Sequence, residues 1–289
     1  MYPLKLKPVY DQRLWGRNSV PEMRGVDMEG VGISWEISAH PTADNEIENG
    51  EFKGKTLSQL LEEKPEEMLG EATKDEMLRC AFSDAKDNLS IQDHPDDEYA
   101  YAHDGECGKT ESWYVIDAVP GATLMAGTSL DSPEEVRAHI EANDMEYYMN
   151  RIPVKKGDFV HIIQGEIHAL GAGIMILEVA GNSDLTYRLY DFARKDKDGN
   201  LRELHLDKGM EVLNTDPVVR TPMNEEFTEK KLIHTPKYQE DLISLKEGEV
   251  HEYHNNNKFS VLHVVDGDAV LEYEGKEEKL GFLDSLFIP

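Results

Sequence analysis

A mostly β fold, a sandwich or barrel carrying a helical insertion, is what this sequence predicts, and three observations carry that expectation. Short runs rich in β-branched and aromatic residues, at 112–118, 123–128, 158–163, 174–179 and 186–190, follow one another closely with turn residues between them. Only one segment among them has a strong helical start, near residue 132. Strands of the same kind return from 230 onward, at 237–244, 259–265, 269–273 and 286–289. Such spacing favours a sandwich or barrel over an alternating parallel sheet.

Taken in order, residues 1–55 alternate short apolar runs with turns, as in Leu4-Lys5-Leu6-Lys7-Pro8-Val9-Tyr10, and read as strands and loops. Thr56 caps a helix whose Leu57, Leu60 and Leu61 share a face, and Pro65 interrupts it. Residues 75–82 fit either helix or strand. At Ser132-Pro133-Glu134-Glu135 a cap, a proline at the first helical position and a capping-box glutamate start the clearest helix. Val136 and Ile140 begin its apolar face, with a break at Asn143-Asp144 before Tyr148. Another short helix spans 207–213, and Pro217 follows in a polar connector. The expected division is therefore 1–216 and 217–289, with the second region a smaller β unit built around a hairpin at 264–270. The sequence stops at Pro289 where a complete unit would turn and run back, so an incomplete unit is expected.

The 289 residues include 30 basic and 58 acidic side chains, a formal net charge of −28. That balance repels nucleic acid and anionic membrane, so neither is an expected partner. Two cysteines, Cys80 and Cys107, make no disulfide framework, and no apolar signal segment precedes Tyr2-Pro3-Leu4, which points to a reducing cytoplasm. No apolar run approaches the roughly 20 residues needed to span a bilayer. Cys107 has no partnering base in any motif and is read as a loop thiol.

Chemistry concentrates between Ile91 and Tyr114. If 89–94 is a strand, its period of two puts Gln92 and His94 on one face. Pro95 suits the first turn of a short helix, with Asp96, Asp97 and Glu98 at its positive end. Glu111 opens the next strand, after a loop with Gly105 and Gly108, and a neighbouring strand would return its carboxylate to the first pair. A second stretch, Gly157 to His168, reads as strand, tight glycine turn and a histidine entering the next strand. Two histidines, a glutamate and a glutamine suit zinc with a position left open, and the same donors suit iron(II) in an oxygenase. The plainer alternative makes His94 a helix cap and His168 a hydrogen-bonding turn residue. His161 lies beyond the Gly165 turn and reads as a packing residue, and His251 and His254 read as part of a polar loop.

The second stretch resembles the second signature of the cupin superfamily, with Ile163 where that signature has proline. The first signature is altered, with Gln92 in place of a histidine and a loop between His94 and Glu111, in the manner of the type I mannose-6-phosphate isomerases in their short bacterial form. Leu14-Trp15-Gly16, Ser34-Trp35-Glu36-Ile37-Ser38-Ala39-His40-Pro41, Gly108-Lys109-Thr110-Glu111 and Asn182 to Asp191 extend the resemblance over most of the chain. The resemblance implies a cupin jelly roll with a helical insertion and a smaller cupin-like region at the carboxyl end. It implies one zinc per chain on Gln92, His94, Glu111 and His168, with Arg188 and Lys109 as the catalytic cations. The implied substrate is a sugar phosphate, mannose 6-phosphate, isomerised to fructose 6-phosphate through an enediol without a redox cofactor. Arginine stays protonated, so Arg188 would stabilise an oxyanion or grip phosphate. Its plainer alternative is an ion pair with Asp191 or Asp184, and that of Lys109 is an exposed loop lysine. Glu178 and His40 are the candidates for proton transfer. A non-catalytic sugar-binding cupin and an iron(II) oxygenase are the competing readings.

Overall fold

The computed structural model describes residues 1–195, 198–214, 220–221 and 229–289. Its strands, in chain order, are β1 (Leu4–Lys7), β2 (Val9–Gln12), β3 (Val31–Ile37), β4 (Glu46–Ile47), β5 (Leu78–Asp84), β6 (Ile91–Asp93), β7 (Glu111–Ala118), β8 (Thr123–Thr128), β9 (Met149–Pro153), β10 (Phe159–Ile162), β11 (His168–Ala169), β12 (Ile174–Gly181), β13 (Tyr187–Tyr190), β14 (Arg220–Thr221), β15 (Glu229–His234), β16 (Gln239–Ile243), β17 (Ser260–His263), β18 (Ala269–Tyr273), β19 (Lys276–Leu280) and β20 (Ser285–Ile288). The helices are α1 (Ser19–Met23), α2 (Leu57–Glu63), α3 (Pro65–Leu69), α4 (Asp97–His103), α5 (Pro133–Glu141) and α6 (Leu206–Val212). Two compact units result: Met1–Val9 with Trp35–Cys80 and Met223–Pro289, and Tyr10–Ser34 with Ala81–Pro222. The connector at Pro217, where the sequence places its division, lies outside the described residues.

In the unit built on Ala81–Pro222 two sheets meet as a sandwich. One has the order β14-β10-β7-β12-β5-β3-β2, the other β13-β6-β11-β8-β9. Alternation along each strand explains how both faces of the smaller sheet are covered. Leu124 and Ala126 of β8 pack with Trp113, Val115, Val160, Ile162, Ile174 and Ile176 of the larger sheet. Met125, between them, joins Ile91, Ala169 and Leu189 on the other face, against Val136 and Ile140 of α5. The helical insertion is thus a cover for the smaller sheet.

Several local expectations need correction. Glu135 does not close a capping box: Ser132 Oγ accepts the Glu135 N–H, but the Glu135 carboxylate accepts from Asp131 N–H at 3.0 Å. Asp96, not Pro95, governs the helix after His94, its Oδ1 accepting the Tyr99 N–H at 2.8 Å. Pro65 starts a second helix as its first residue where the sequence shows only an interruption. The short α1 falls inside a stretch read as strands and loops, and 75–82 becomes one 3₁₀ turn followed by β5. Among the described residues, no helix is long and apolar enough to cross a membrane.

The other unit contains the four-stranded sheet β17-β20-β1-β4 and the hairpins β15-β16 and β18-β19. The hairpin expected at 264–270 does not form, because β18 pairs with β19 and β17 pairs with β20. On β17, His263 is held neutral by burial, which pulls its pKa from 6.5 to about 4. A base whose pKa is lower folded than unfolded adds stability above 6.5, and that stability is lost as pH falls from 6.5 toward 4. The unfolding free energy from urea titrations should therefore drop across this interval, with a slope of at most about 1.4 kcal/mol per pH unit from this group. His263→Gln should flatten it. An unchanged slope in that variant would assign the acid sensitivity to other groups.

Candidate metal centre

Period-two alternation also decides what enters the sandwich interior. Because Ile91, Ala169 and Leu189 face the helices, their neighbours Gln92, His168 and Arg188 face the opposite way. The ladder aligns them, since Arg188 pairs with Gln92 and Gln92 with His168. From the facing sheet, Glu111 and Trp113 of β7 share a face, and the Trp113 ring stands edge-on to His168 at 5.5 Å. Glu178 of β12 pairs with Trp113.

Two glycines make the approach possible. Gly165 has φ +76°, and a Cβ there would lie 2.2 Å from Val212 O. This turn joins β10 to His168, and its Gly165 N–H donates to His94 O at 2.7 Å. A Cβ on Gly108 would lie 2.3 Å from Asp96 C and 2.5 Å from Pro95 O. Only glycine lets the loop before β7 lie this close to the segment after His94, where Gly108 N–H donates to Asp97 Oδ1 and Lys109 N–H to Pro95 O.

The result is a buried cluster. His94 Nε2 lies 3.5 Å from Glu111 Oε2, and His168 Nε2 lies 3.3 Å from Glu111 Oε1. One donor atom from each of the three residues falls within 4.8 Å of the others. Each imidazole is oriented through its other nitrogen: His94 Nδ1 contacts Leu185 O at 2.8 Å and His168 Nδ1 contacts Glu166 O at 2.7 Å. With Nδ1–H donating to a carbonyl, the lone pair sits on Nε2, and neither Nε2 has a hydrogen-bond partner. Burial first, then the Lys109 charge, pulls the His94 pKa to about 4, so the ring is neutral at pH 7 as a metal ligand must be. Buried, unpartnered and converging nitrogens beside a carboxylate fit a divalent metal ion. Gln92, across the ladder from His168, accepts from Ser90 Oγ at 3.3 Å through Oε1.

Lys109 sits between two carboxylates, 2.6 Å from Glu111 Oε2 and 2.8 Å from Glu178 Oε1. It is buried, not an exposed loop lysine. Burial disfavours its ammonium, but Glu111 and Glu178 outweigh that and hold its pKa above the ordinary value. For Glu111 burial is again overcome, here by Lys109 and then His94, and the carboxyl stays well below the usual range. Glu178 goes the other way: burial and the Glu111 charge keep its pKa raised despite Lys109. Neighbouring carboxyls are thus pushed apart in acidity, as acid–base sites require.

Arg188 is half-buried. Its Nη1 donates to Glu203 O at 3.0 Å. The sheet-edge ion pair with Asp191 is not formed, because Arg194 and Arg202 occupy that carboxylate. His161 stands opposite Ser112, on the face of the sheet away from Glu111. His40, in the other unit, bonds Thr42 Oγ1 at 2.9 Å. His251 lies 3.8 Å from Glu229, and His254 is exposed. Cys107 Sγ lies 3.8 Å from Asn182 O. Sequence reasoning passed over Arg202 and also His205, whose Nδ1 accepts the Arg188 backbone N–H at 3.0 Å. A signal existed in the basic residues gathered between 188 and 202 of so acidic a chain.

Fold and cluster together define a cupin-like protein with a two-histidine, one-carboxylate cluster whose donors could hold a metal ion. Residues 4–114 match the family described as phosphomannose isomerase type I, catalytic domain. The chain is 43% identical over 213 residues to a mannose-6-phosphate isomerase of Streptococcus mutans, covering 73% of this chain and 67% of that protein. It is 41% identical over 214 residues to mannose-6-phosphate isomerase ManA of Bacillus subtilis, covering 73% and 68%. A crystal structure of the mannose 6-phosphate isomerase from Bacillus subtilis superposes with a TM-score of 0.91 at 34% identity, covering all of this chain and 94% of that one. The chain belongs to the type I mannose-6-phosphate isomerase family.

Proposed function

We propose that this chain interconverts mannose 6-phosphate and fructose 6-phosphate with one zinc ion held by His94, Glu111, His168 and Gln92. The observation that carries this reading is the pair of unpartnered Nε2 atoms converging on Glu111 beside a buried ammonium. A solved mannose 6-phosphate isomerase similar in fold, with a TM-score of 0.76 at 16% identity, was obtained with zinc and yttrium bound. When bound, the metal supplies positive charge that polarises the sugar oxygens and lowers the cost of negative charge developing on them.

The chain's own residues supply the rest. Isomerisation takes a proton from C2 and returns one to C1, while a hydroxyl proton passes between the two oxygens. Glu178, its pKa raised by burial and the Glu111 charge, suits a group that accepts and returns a proton. Lys109 holds that carboxyl in place through its 2.8 Å contact and contributes positive charge where the enediolate forms. Arg188, permanently charged at the rim, holds the anionic substrate. The two cysteines are free thiols, in keeping with a cytoplasmic enzyme. Residues beyond 217 give support without chemistry, so the His251→Ala, His254→Ala double variant should keep turnover within about twofold, as expected of changes remote from a site. A folded double variant with a large loss of zinc or turnover would place ligands there. The function itself is tested by a coupled assay of fructose 6-phosphate formation from mannose 6-phosphate, with and without chelator. No turnover by zinc-loaded protein, or turnover untouched by metal removal, would sink the reading.

A further inference from the structure

Three of the ten arginines in this acidic chain, Arg188, Arg194 and Arg202, fall within one short segment. Arg194 and Arg202 both bind Asp191, so this carboxylate is shared by two guanidiniums. The two arginines are not equivalent. Arg194 uses every nitrogen, with Nε and Nη2 on Asp191 and Nη1 on Asn88 O. Arg202 places Nε on Asp191 Oδ2 at 2.7 Å and Nη2 on Oδ1, which leaves Nη1 without a hydrogen bond among the described residues. Arg188 lies against the same segment. Its Nη1 binds Glu203 O, its backbone N–H binds His205 Nδ1, and its buried Nε has no acceptor.

Two guanidiniums therefore hold a single carboxylate, Arg188 lies within electrostatic reach of it, and Arg188 and Arg202 keep donors in reserve among the described residues. The Arg188 guanidinium is destabilised by burial and then by the charge of Arg202, with Arg13 and Arg194 adding to it and Asp191 offsetting part. A net positive cluster in a chain of charge −28 has no fold-level need, since carboxylates abound to neutralise it. It is suited to a dianion, which bidentate guanidiniums bind well.

We infer that Arg202, braced by Asp191, joins Arg188 in a clamp for the substrate's phosphate group and thereby determines specificity for phosphorylated sugars. The inference rests on the sugar-phosphate reading above. The sheet provides the ruler: Arg188, Gln92 and His168 occupy adjacent ladder positions, so the backbones of Arg188 and His168 stand two strand spacings, about 10 Å, apart. From C2 of an open-chain hexose 6-phosphate to phosphorus is six bonds, about 7 Å at the advance per bond of an extended chain. With its reacting carbons beside His168, such a substrate ends at the arginines. Asp191 fixes the plane of the Arg202 guanidinium, so little side-chain freedom is lost on binding.

The test is steady-state kinetics of zinc-loaded wild type, Arg202→Gln and Arg202→Lys, with inorganic phosphate as the competing probe. The exposed Arg137→Gln, which only loses a surface ion pair with Asp207, is the control and should match wild type. Arg202→Gln should raise both the KM for mannose 6-phosphate and the inhibition constant of inorganic phosphate roughly ten- to hundredfold, the scale of lost charge-assisted hydrogen bonds. Its kcat should change far less, and its zinc content not at all. Arg202→Lys should fall between. A folded, zinc-loaded Arg202→Gln with both constants within twofold of wild type, or with a loss confined to kcat, overturns the clamp. If the glutamine variant fails to fold, Arg202→Lys carries the same comparison, and an unchanged KM overturns the clamp there too. Should wild type not convert mannose 6-phosphate at all, the substrate reading fails separately. Calorimetric titration of inorganic phosphate into wild type and Arg202→Lys then decides the anion site: weaker binding by the variant supports it, and equal or absent binding overturns it.

Discussion

His168→Ala should yield folded protein with no stoichiometric zinc and with turnover at background. The residue is wholly buried, its Nδ1 is anchored to Glu166 O, and its Nε2 lies 3.3 Å from Glu111 with no other partner. Removing one of the few protein ligands of a zinc site costs much of its affinity, because the remaining donors no longer complete the coordination. His94→Ala should behave alike, since its Nε2 faces the other oxygen of the same carboxylate. Elemental analysis after gel filtration, read beside circular dichroism, checks both. Stoichiometric metal persisting in the double variant would put the site elsewhere.

Arg188→Ala should retain zinc while kcat/KM for mannose 6-phosphate falls by roughly two orders of magnitude, the scale of charge-assisted hydrogen bonds lost at the phosphate. Metal retention follows from its place in the ladder, beside Gln92 and two strands from His168. The fold should tolerate the change, because its side chain gives up one hydrogen bond among the described residues, to Glu203 O. A near-normal kcat/KM in a zinc-loaded variant would assign Arg188 to the loop it holds and not to the substrate.

The ligand-bearing strands were legible because their information is local. Gln92 and His94 are spaced two apart, Glu111 opens a β-rich run, and Gly165 announces the turn before His168. What stayed hidden depends on partners far along the chain. Its neighbours alone leave Lys109 divided between a cation beside Glu111 and an exposed loop lysine, until Glu178, 69 residues away, is brought against it. For Arg188 the plainer alternative, a pair with Asp191, falls only once Arg194 and Arg202 are found to fill that carboxylate. The same limit applied to the carboxyl-terminal strands. Asp266-Gly267 is a sound turn signal, but no local pattern tells β17 to pair with β20, or β20 with the amino-terminal β1.

The ligands come from opposite walls of the sandwich, His168 and Gln92 from the five-stranded sheet and Glu111 from the seven-stranded one. An ion bound there is a cross-brace as well as a reagent. It ties two layers otherwise joined by apolar contact, and any ion that binds only the folded arrangement adds RT ln(1 + [L]/Kd) to its stability. Chelation should therefore lower the melting temperature along with activity. Metal occupancy would then also govern how long each folded molecule lasts, so that a cell short of metal would lose the protein itself and not merely its turnover.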